Sequence, residues 1–213
     1  MKEILLHLYQ AINFRVIRLF SMTRGQSTFE KVVYLTFDDG PEPEITPAVL
    51  DILDRVGAKA TFFNMGCKNE AYPEILQEIK RRGHAVGNHS YSHPKGLTTS
   101  LKAYISDMER AHQTYPTRLI RPPYGASSLA QFYALSKKGR IVLWNKGSND
   151  HDNDMTDYPA EVNRLIAETE NGDIVLFHDK QEHARQTLQI LPAYVQWLSE
   201  NGYQMKALDE KGC

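Results

Sequence analysis

What this chain has little of narrows its function first. Two cysteines, Cys67 and Cys213, are too few for a disulfide framework, and their spacing matches neither a zinc ribbon nor a redox pair. They read as free thiols, which points to a reducing compartment. Charge of one sign is also missing: 25 basic and 26 acidic residues leave a net charge of −1. No basic field therefore exists to attract nucleic acid. No segment is low in complexity, and with 24% charged residues the composition does not suggest disorder. No glycine-rich dinucleotide fingerprint and no phosphate loop follow the first strand-like segment, which disfavours a nucleotide site. No internal repeat or linker interrupts the chain, whose 213 residues suffice for one domain with a sizeable core.

The first 20 residues are a separate matter. Leu5, Leu8, Tyr9, Ile12, Val16, Leu19 and Phe20 recur at close to a helical period, with Arg15 and Arg18 between them. The apolar run is too short to span a bilayer, and no small-residue cleavage site follows it. An amphipathic helix is expected here, either packed on the domain or lying on a membrane surface. Residues 1–30 are expected to form this helix and a connector, and residues 31–213 the main domain.

Beyond residue 30 strand-like and helix-like segments alternate. The strand candidates are Val32–Phe37, Ala60–Asn64, Ala85–Asn88, Leu119–Arg121, Ile141–Trp144, Ile174–Phe177 and Tyr203–Ala207. Several are continuously apolar, as strands buried on both faces should be. Four helices are punctuated between them: Thr46-Pro47 to Gly57, Tyr72-Pro73 to Gly83, Ser127-Ser128 to Gly139, and Asp157/Pro159 to Gly172. Proline suits a first turn, which does not need its N–H, and glycine tolerates the left-handed cap. The alternation predicts an α/β fold with about seven parallel strands, as a doubly wound sheet or a distorted barrel.

Chemistry collects at the ends of these strands. Asp38-Asp39 follows the first, before a Gly40-Pro41 turn. Two adjacent carboxylates repel unless a cation or a division of roles separates them. His89 and His93 follow the third strand. Two imidazoles and a carboxylate make a three-ligand set that leaves positions open for water and substrate. Arg121 opens the rigid run Arg121-Pro122-Pro123-Tyr124-Gly125, where its guanidinium can clamp a carboxylate. His178 ends the apolar run Ile174–Phe177, and its ordinary pKa near 6.5 suits proton transfer. The polar stretch Asn149–Asp157 reads as a solvated loop in preference to a second metal site.

Together these segments resemble the polysaccharide deacetylase family (carbohydrate esterase family 4, the chitooligosaccharide and peptidoglycan deacetylases). TFDDGP, HSYSHP, RPPYG and IVLFHD match four of its motifs in order, over residues from about Val32 to Leu208. The resemblance implies a distorted (β/α) barrel with seven strands. It implies one divalent metal ion, zinc by preference with cobalt, nickel or iron as alternatives, held by Asp39, His89 and His93. Asp38 would be the general base, oriented by Arg121, and His178 the general acid. A backbone N–H near Tyr124 would help bind the oxyanion, and Leu176 would line the acetyl pocket. The fourth motif departs from the pattern. Trp144 and Asp150 fit, and Asp150 would anchor Arg121, but His151 stands where the family has a pocket tryptophan. The implied substrate is an N-acetylated amino-sugar glycan or a glycolipid headgroup. A membrane-associated deacylase of a lipid-linked sugar and a catalytically silent glycan-binding domain are the competing readings. A cytoplasmic or membrane-associated location follows from the N-terminus, with peripheral membrane contact through residues 1–20; the resemblance adds the cell envelope.

Overall fold

The computed structural model describes residues 21–25 and 30–209. The amphipathic helix expected in residues 1–20, its membrane contact, and Cys213 lie outside the described residues. The chain threads through β1 (Val32–Asp38), α1 (Ile45–Arg55), β2 (Ala60–Asn64), α2 (Gly66–Ala71), α3 (Pro73–Arg81), β3 (Ala85–Asn88), α4 (Leu101–Thr114), β4 (Leu119–Ile120), α5 (Leu129–Ser136), β5 (Arg140–Ile141), β6 (Lys146–Gly147), α6 (Tyr158–Glu168), β7 (Ile174–His178), α7 (Ala184–Glu200) and β8 (Gln204–Met205). The main path of the sheet has seven strands in the order β5-β4-β3-β2-β1-β7-β6, and the short β8 pairs with the start of β1. Every strand pairing is parallel. The sheet curls into a distorted half-barrel with helices packed around it, which settles the choice between barrel and doubly wound sheet.

Period-two alternation sorts most strand residues between an outer core and a lumen core, while Ile120 and Ile141 join a third cluster with residues of α4 and α5. Val33, Leu35 and Phe37 of β1 face outward with Phe62, Val175 and Phe177, and pack under α1 and α7. Phe37 stacks on Phe62 at 4.9 Å and on Phe177 at 5.7 Å. Val32, Tyr34, Phe63, Leu119 and Ile174 face inward and fill the lumen with Val142 and Leu208. This alternation matters for the site, because Asp38, His178 and Arg121 share the parity of the lumen residues on their strands.

All four punctuated helices form. Gly57 and Gly83 close α1 and α3 with φ of 65° and 79°. Ser128 caps α5 in a reciprocal capping box with Gln131, and the Asp157 side chain accepts from Ala160 N–H at the start of α6. The short α2 and the longer α4 and α7 lie outside the four predicted helices. Helix α4 has a capping serine, Ser100, but no closing glycine, and α7 runs through an internal Pro192 that reads as a breaker. The strand predicted over Ile141–Trp144 is shorter, because Val142 and Leu143 leave the sheet to serve other partners. Val142 pairs with Met22 of the connector, and both carbonyls accept from Arg121. Strand β6 was not predicted; its two residues, Lys146 and Gly147, carry no apolar pattern. The connector is part of the barrel: Met22 bonds Ile141 and Leu143, and Arg24 bridges Asp173.

Candidate metal centre and acid–base pair

The predicted residues converge on the rim of the half-barrel, at the carboxyl ends of its strands, where α/β enzymes place their chemistry. Asp38 and His178 are register partners on β1 and β7. Both point into the lumen, and Leu176 lies two residues below His178 on the same face. Asp39 is out of phase by one residue and by alternation would face the helices. Its φ of 76° turns it back toward the rim. Left-handed backbone at a non-glycine residue costs energy and collects at functional sites. Ser90, His93, Tyr124 and Asn149 are the other described non-glycine residues with positive φ, and all lie on the same rim loops.

Asp39, His89 and His93 offer one ligand atom each within 4.8 Å of one another. The Nε2 atoms of His89 and His93 lie 3.4 and 3.1 Å from Asp39 Oδ1. That oxygen is buried and has no hydrogen-bond donor. A buried carboxylate oxygen facing two imidazole nitrogens fits a cation, the partner that would satisfy all three. His89 Nδ1 lies 2.8 Å from the Arg121 carbonyl, which makes Nδ1 the protonated nitrogen and leaves the Nε2 lone pair toward Asp39. Burial alone would raise the Asp39 pKa, but the neighbouring imidazoles outweigh it and hold the carboxyl well below the usual range. Burial would lower His89, and Asp38 followed by Asp39 outweigh it in the upward direction.

Arg121 is fully buried. Its Nη1 donates to Asp38 Oδ1 at 2.7 Å and to Thr36 Oγ1 at 2.9 Å, while Nε and Nη2 donate to the Val142 and Leu143 carbonyls. The guanidinium stacks 4.0 Å from the Phe63 ring centroid. Gly87 makes that stack fit, because a Cβ there would lie 2.4 Å from the Phe63 ring. Burial lowers the Arg121 pKa against the opposing pull of Asp38. The pair fixes the Asp38 side chain in a single orientation.

One expectation is corrected. Asp150 does not anchor Arg121. One Asp150 oxygen bonds His178 Nδ1 at 2.8 Å, and the other accepts from the His178 N–H at 2.7 Å and the Thr187 hydroxyl at 2.9 Å. The reason is topological: Asp150 follows β6, which pairs with β7, so it arrives beside His178 and not beside β4. Burial, the largest influence, would lower the His178 pKa, but Asp150 outweighs it and lifts it to about 9. Asp150 is itself held down by His178 against burial. Asp150, His151 and His178 also bring ligand atoms within 4.8 Å of one another. The bonds just described already occupy Asp150 and one nitrogen of His178.

Tyr124 is 56% exposed, with its ring 4.6 Å from that of His93. His151 is exposed, with its ring 6.0 Å from that of His178. Leu176 is buried and pairs with Gly147. Two groups were missed. Asp179 is fully buried, accepts from Gly40 N–H and the Thr46 hydroxyl, and so shapes the turn that carries Asp39. Burial pushes it up to about 7. His183 opens α7 with its ring 5.4 Å from that of His178 and its Nδ1 buried without a hydrogen-bond partner. The carboxylate after His178 in the last motif was a visible signal for Asp179; His183 had none.

The chain is similar to known proteins over most of its length. The polysaccharide deacetylase family matches residues 25–141. The chain is 32% identical over 187 residues to a peptidoglycan-N-acetylglucosamine deacetylase of Bacillus cereus, covering 85% of this chain and 88% of that one. It is 33% identical over 166 residues to a chitooligosaccharide deacetylase of Azorhizobium caulinodans, covering 74% and 76%. The structure of the peptidoglycan deacetylase PdaC from Bacillus subtilis superposes with a TM-score of 0.77 at 30% identity, covering 84% of this chain and 89% of that one. The chain belongs to the polysaccharide deacetylase family, carbohydrate esterase family 4, and is a carbohydrate N-deacetylase, a hydrolase. Among the described residues no helix is long and apolar enough to cross a membrane.

Proposed function

We propose that residues 31–213 form a catalytic domain that removes the N-acetyl group from an N-acetylglucosamine-containing glycan, with Asp38 as general base and His178 as general acid. The observation that carries this reading is the pairing of Asp38 and His178 across β1 and β7, each locked by its own buried partner, beside the Asp39–His89–His93 triad. A divalent cation, zinc by preference for this donor set, would be held by the triad and would acidify water and polarise the acyl carbonyl. Arg121 holds the Asp38 side chain aimed at the site, so Asp38 can take a proton from the attacking water. Asp150 keeps His178 protonated near neutral pH, so His178 can protonate the departing amine through its other ring nitrogen. Base and acid stand on separate strands, which lets them act on two sides of one tetrahedral centre. The backbone N–H near Tyr124 supports the developing oxyanion, and Leu176 receives the acyl methyl. His151 makes the pocket wall smaller and more polar than a tryptophan would.

Peptidoglycan and chitooligosaccharides are the substrate classes that the relatives support. The test is acetate release from peptidoglycan fragments, chitooligosaccharides and small N-acetyl amino sugars. Asp38→Ala and His178→Ala should each abolish release while leaving glycan binding intact. Binding without release by the parent protein would instead establish a silent glycan-binding domain.

A further inference from the structure

The loop that carries His89 and His93 draws part of its support from outside itself. It leaves β3 and reverses through two left-handed non-glycine residues, Ser90 (φ 68°) and His93 (φ 59°). Such residues persist only where surrounding contacts over-determine them. The inner half is tied down by its own side chains. Asn88 donates to the Met108 carbonyl and accepts from Ser90 N–H, and Ser90 Oγ accepts from His93 N–H at 3.0 Å. The outer half, Tyr91 and Ser92, has no strand to pair with. One carboxylate from α4 serves it. Asp107 Oδ1 accepts from Tyr91 N–H at 2.7 Å and from Ser92 N–H at 3.1 Å, and Oδ2 accepts from the Ser92 hydroxyl at 2.6 Å. From the opposite side, Gly66 and Cys67 N–H groups donate to the Ser90 and Tyr91 carbonyls. The backbone of this outer half is thus held between the start of α2 and the Asp107 carboxylate.

We propose that Asp107 is the positioning residue of the metal centre: by binding the backbone between the two histidine ligands it fixes their spacing and sets the affinity of the site for a divalent cation. Its three bonds are charge-assisted, and each strengthens a donor that water would otherwise compete for. Asp107 touches neither imidazole, so it acts only through residues 91 and 92. The Tyr91 side chain reinforces the placement from outside. Its hydroxyl bonds Glu70 on α2 and accepts from Arg110, whose guanidinium lies 3.4 Å from the ring centroid. The proposal rests on the reading of Asp39, His89 and His93 as cation ligands.

The experiment measures Zn²⁺ affinity by competition with a chromogenic chelator, and the visible absorption of the Co²⁺-loaded protein. The parent is compared with Asp107→Ala, Asp107→Asn, His93→Ala and the exposed control Lys102→Ala. Asp107→Ala should weaken Zn²⁺ binding about 10–100-fold, as loss of a group that orients metal ligands does, and alter the Co²⁺ spectrum. Asp107→Asn keeps an acceptor for the two N–H groups and should lose less. Lys102→Ala should match the parent. A merely structural role would lower the melting temperature of Asp107→Ala while leaving affinity and spectrum at parental values, and that result overturns the proposal. If Asp107→Ala does not fold, the Asn variant decides the question: parental affinity and spectrum refute, weakened binding supports. If His93→Ala also binds as the parent does, the metal-site reading itself has failed; if His93→Ala loses binding and the Asp107 variants do not, only this inference has.

Discussion

Asp150→Asn tests the acid most sharply, because the substitution keeps the shape of the side chain and removes the charge that sustains His178. His178 sits at about 9 against an ordinary 6.5. That rise corresponds to about 3 kcal/mol of differential stabilisation of the imidazolium. Burial, the largest single influence, pulls the other way, and Asp150 is the main upward influence, ahead of Asp38 and Asp39. Without the charge, His178 should fall back to about 6.5 or below. At pH 8 the protonated fraction would drop from about 0.9 to about 0.03, roughly a 30-fold loss of the acid form. The assay is the pH profile of kcat/KM for acetate release. The parent should hold activity until its alkaline limb near pH 9, and Asp150→Asn should show that limb displaced downward by about 2 units or more. An Asp150→Asn limb that stays near pH 9 would refute the reasoning. Linkage gives a second readout. A histidine raised on folding adds stability that is full below its unfolded pKa of about 6.5 and is lost as pH rises through about 9. Parent stability should therefore fall between those values, and the variant should lose that slope.

Other predictions follow from the same contacts. Arg121→Ala strands Asp38 as a buried unpaired charge and should cost about 3–5 kcal/mol in urea unfolding. Arg121→Lys should not restore activity, because an ammonium cannot reach the Asp38, Thr36, Val142 and Leu143 acceptors together. Gly40→Ala places a Cβ 2.0 Å from an Asp179 carboxylate oxygen; it should destabilise by about 1–3 kcal/mol or more and depress activity through the displaced Asp39 turn, read by calorimetry alongside turnover. Phe37→Ala removes the ring between Phe62 and Phe177 and should cost about 3–5 kcal/mol of stability while sparing cation affinity.

Much of this site could be read from residues because strands obey a period of two. A motif that ends a strand delivers its side chains to one rim, so Asp38, Arg121 and His178 were legible as a group once their strands were. Asp39 was legible as a residue but not as a geometry, since its left-handed backbone re-aims it against the alternation. Partnership was harder. Asp150 was expected on Arg121 from the family resemblance alone, since the sequence carries no strand order to test that pairing. The pairing of β6 with β7 decides otherwise, and β6 is only two residues long. Asp107 lies 14 residues beyond His93 on a helix bracketed by Ser100 and Pro116, and no local pattern connects it to the loop it serves. Asp179 was visible as the carboxylate after His178, but its partners in the Gly40 turn were not, and no local pattern places His183 beside His178. The parallel sheet with its crossover helices was legible from strand–helix alternation, whereas the barrel form came only with the family resemblance. The helices without punctuation were not legible, because in α7 packing against the sheet outweighs an internal proline.

The most direct test of the central claim is acetate release from N-acetylglucosamine oligomers by protein stripped with a chelator and reloaded with a divalent cation. Activity should vanish on stripping, return at one cation per chain, and fail to return in Asp39→Ala or His93→Ala. Full activity in the stripped protein, or recovery in either variant at the same cation concentration, would contradict the assignment of Asp39, His89 and His93 as the centre of the chemistry.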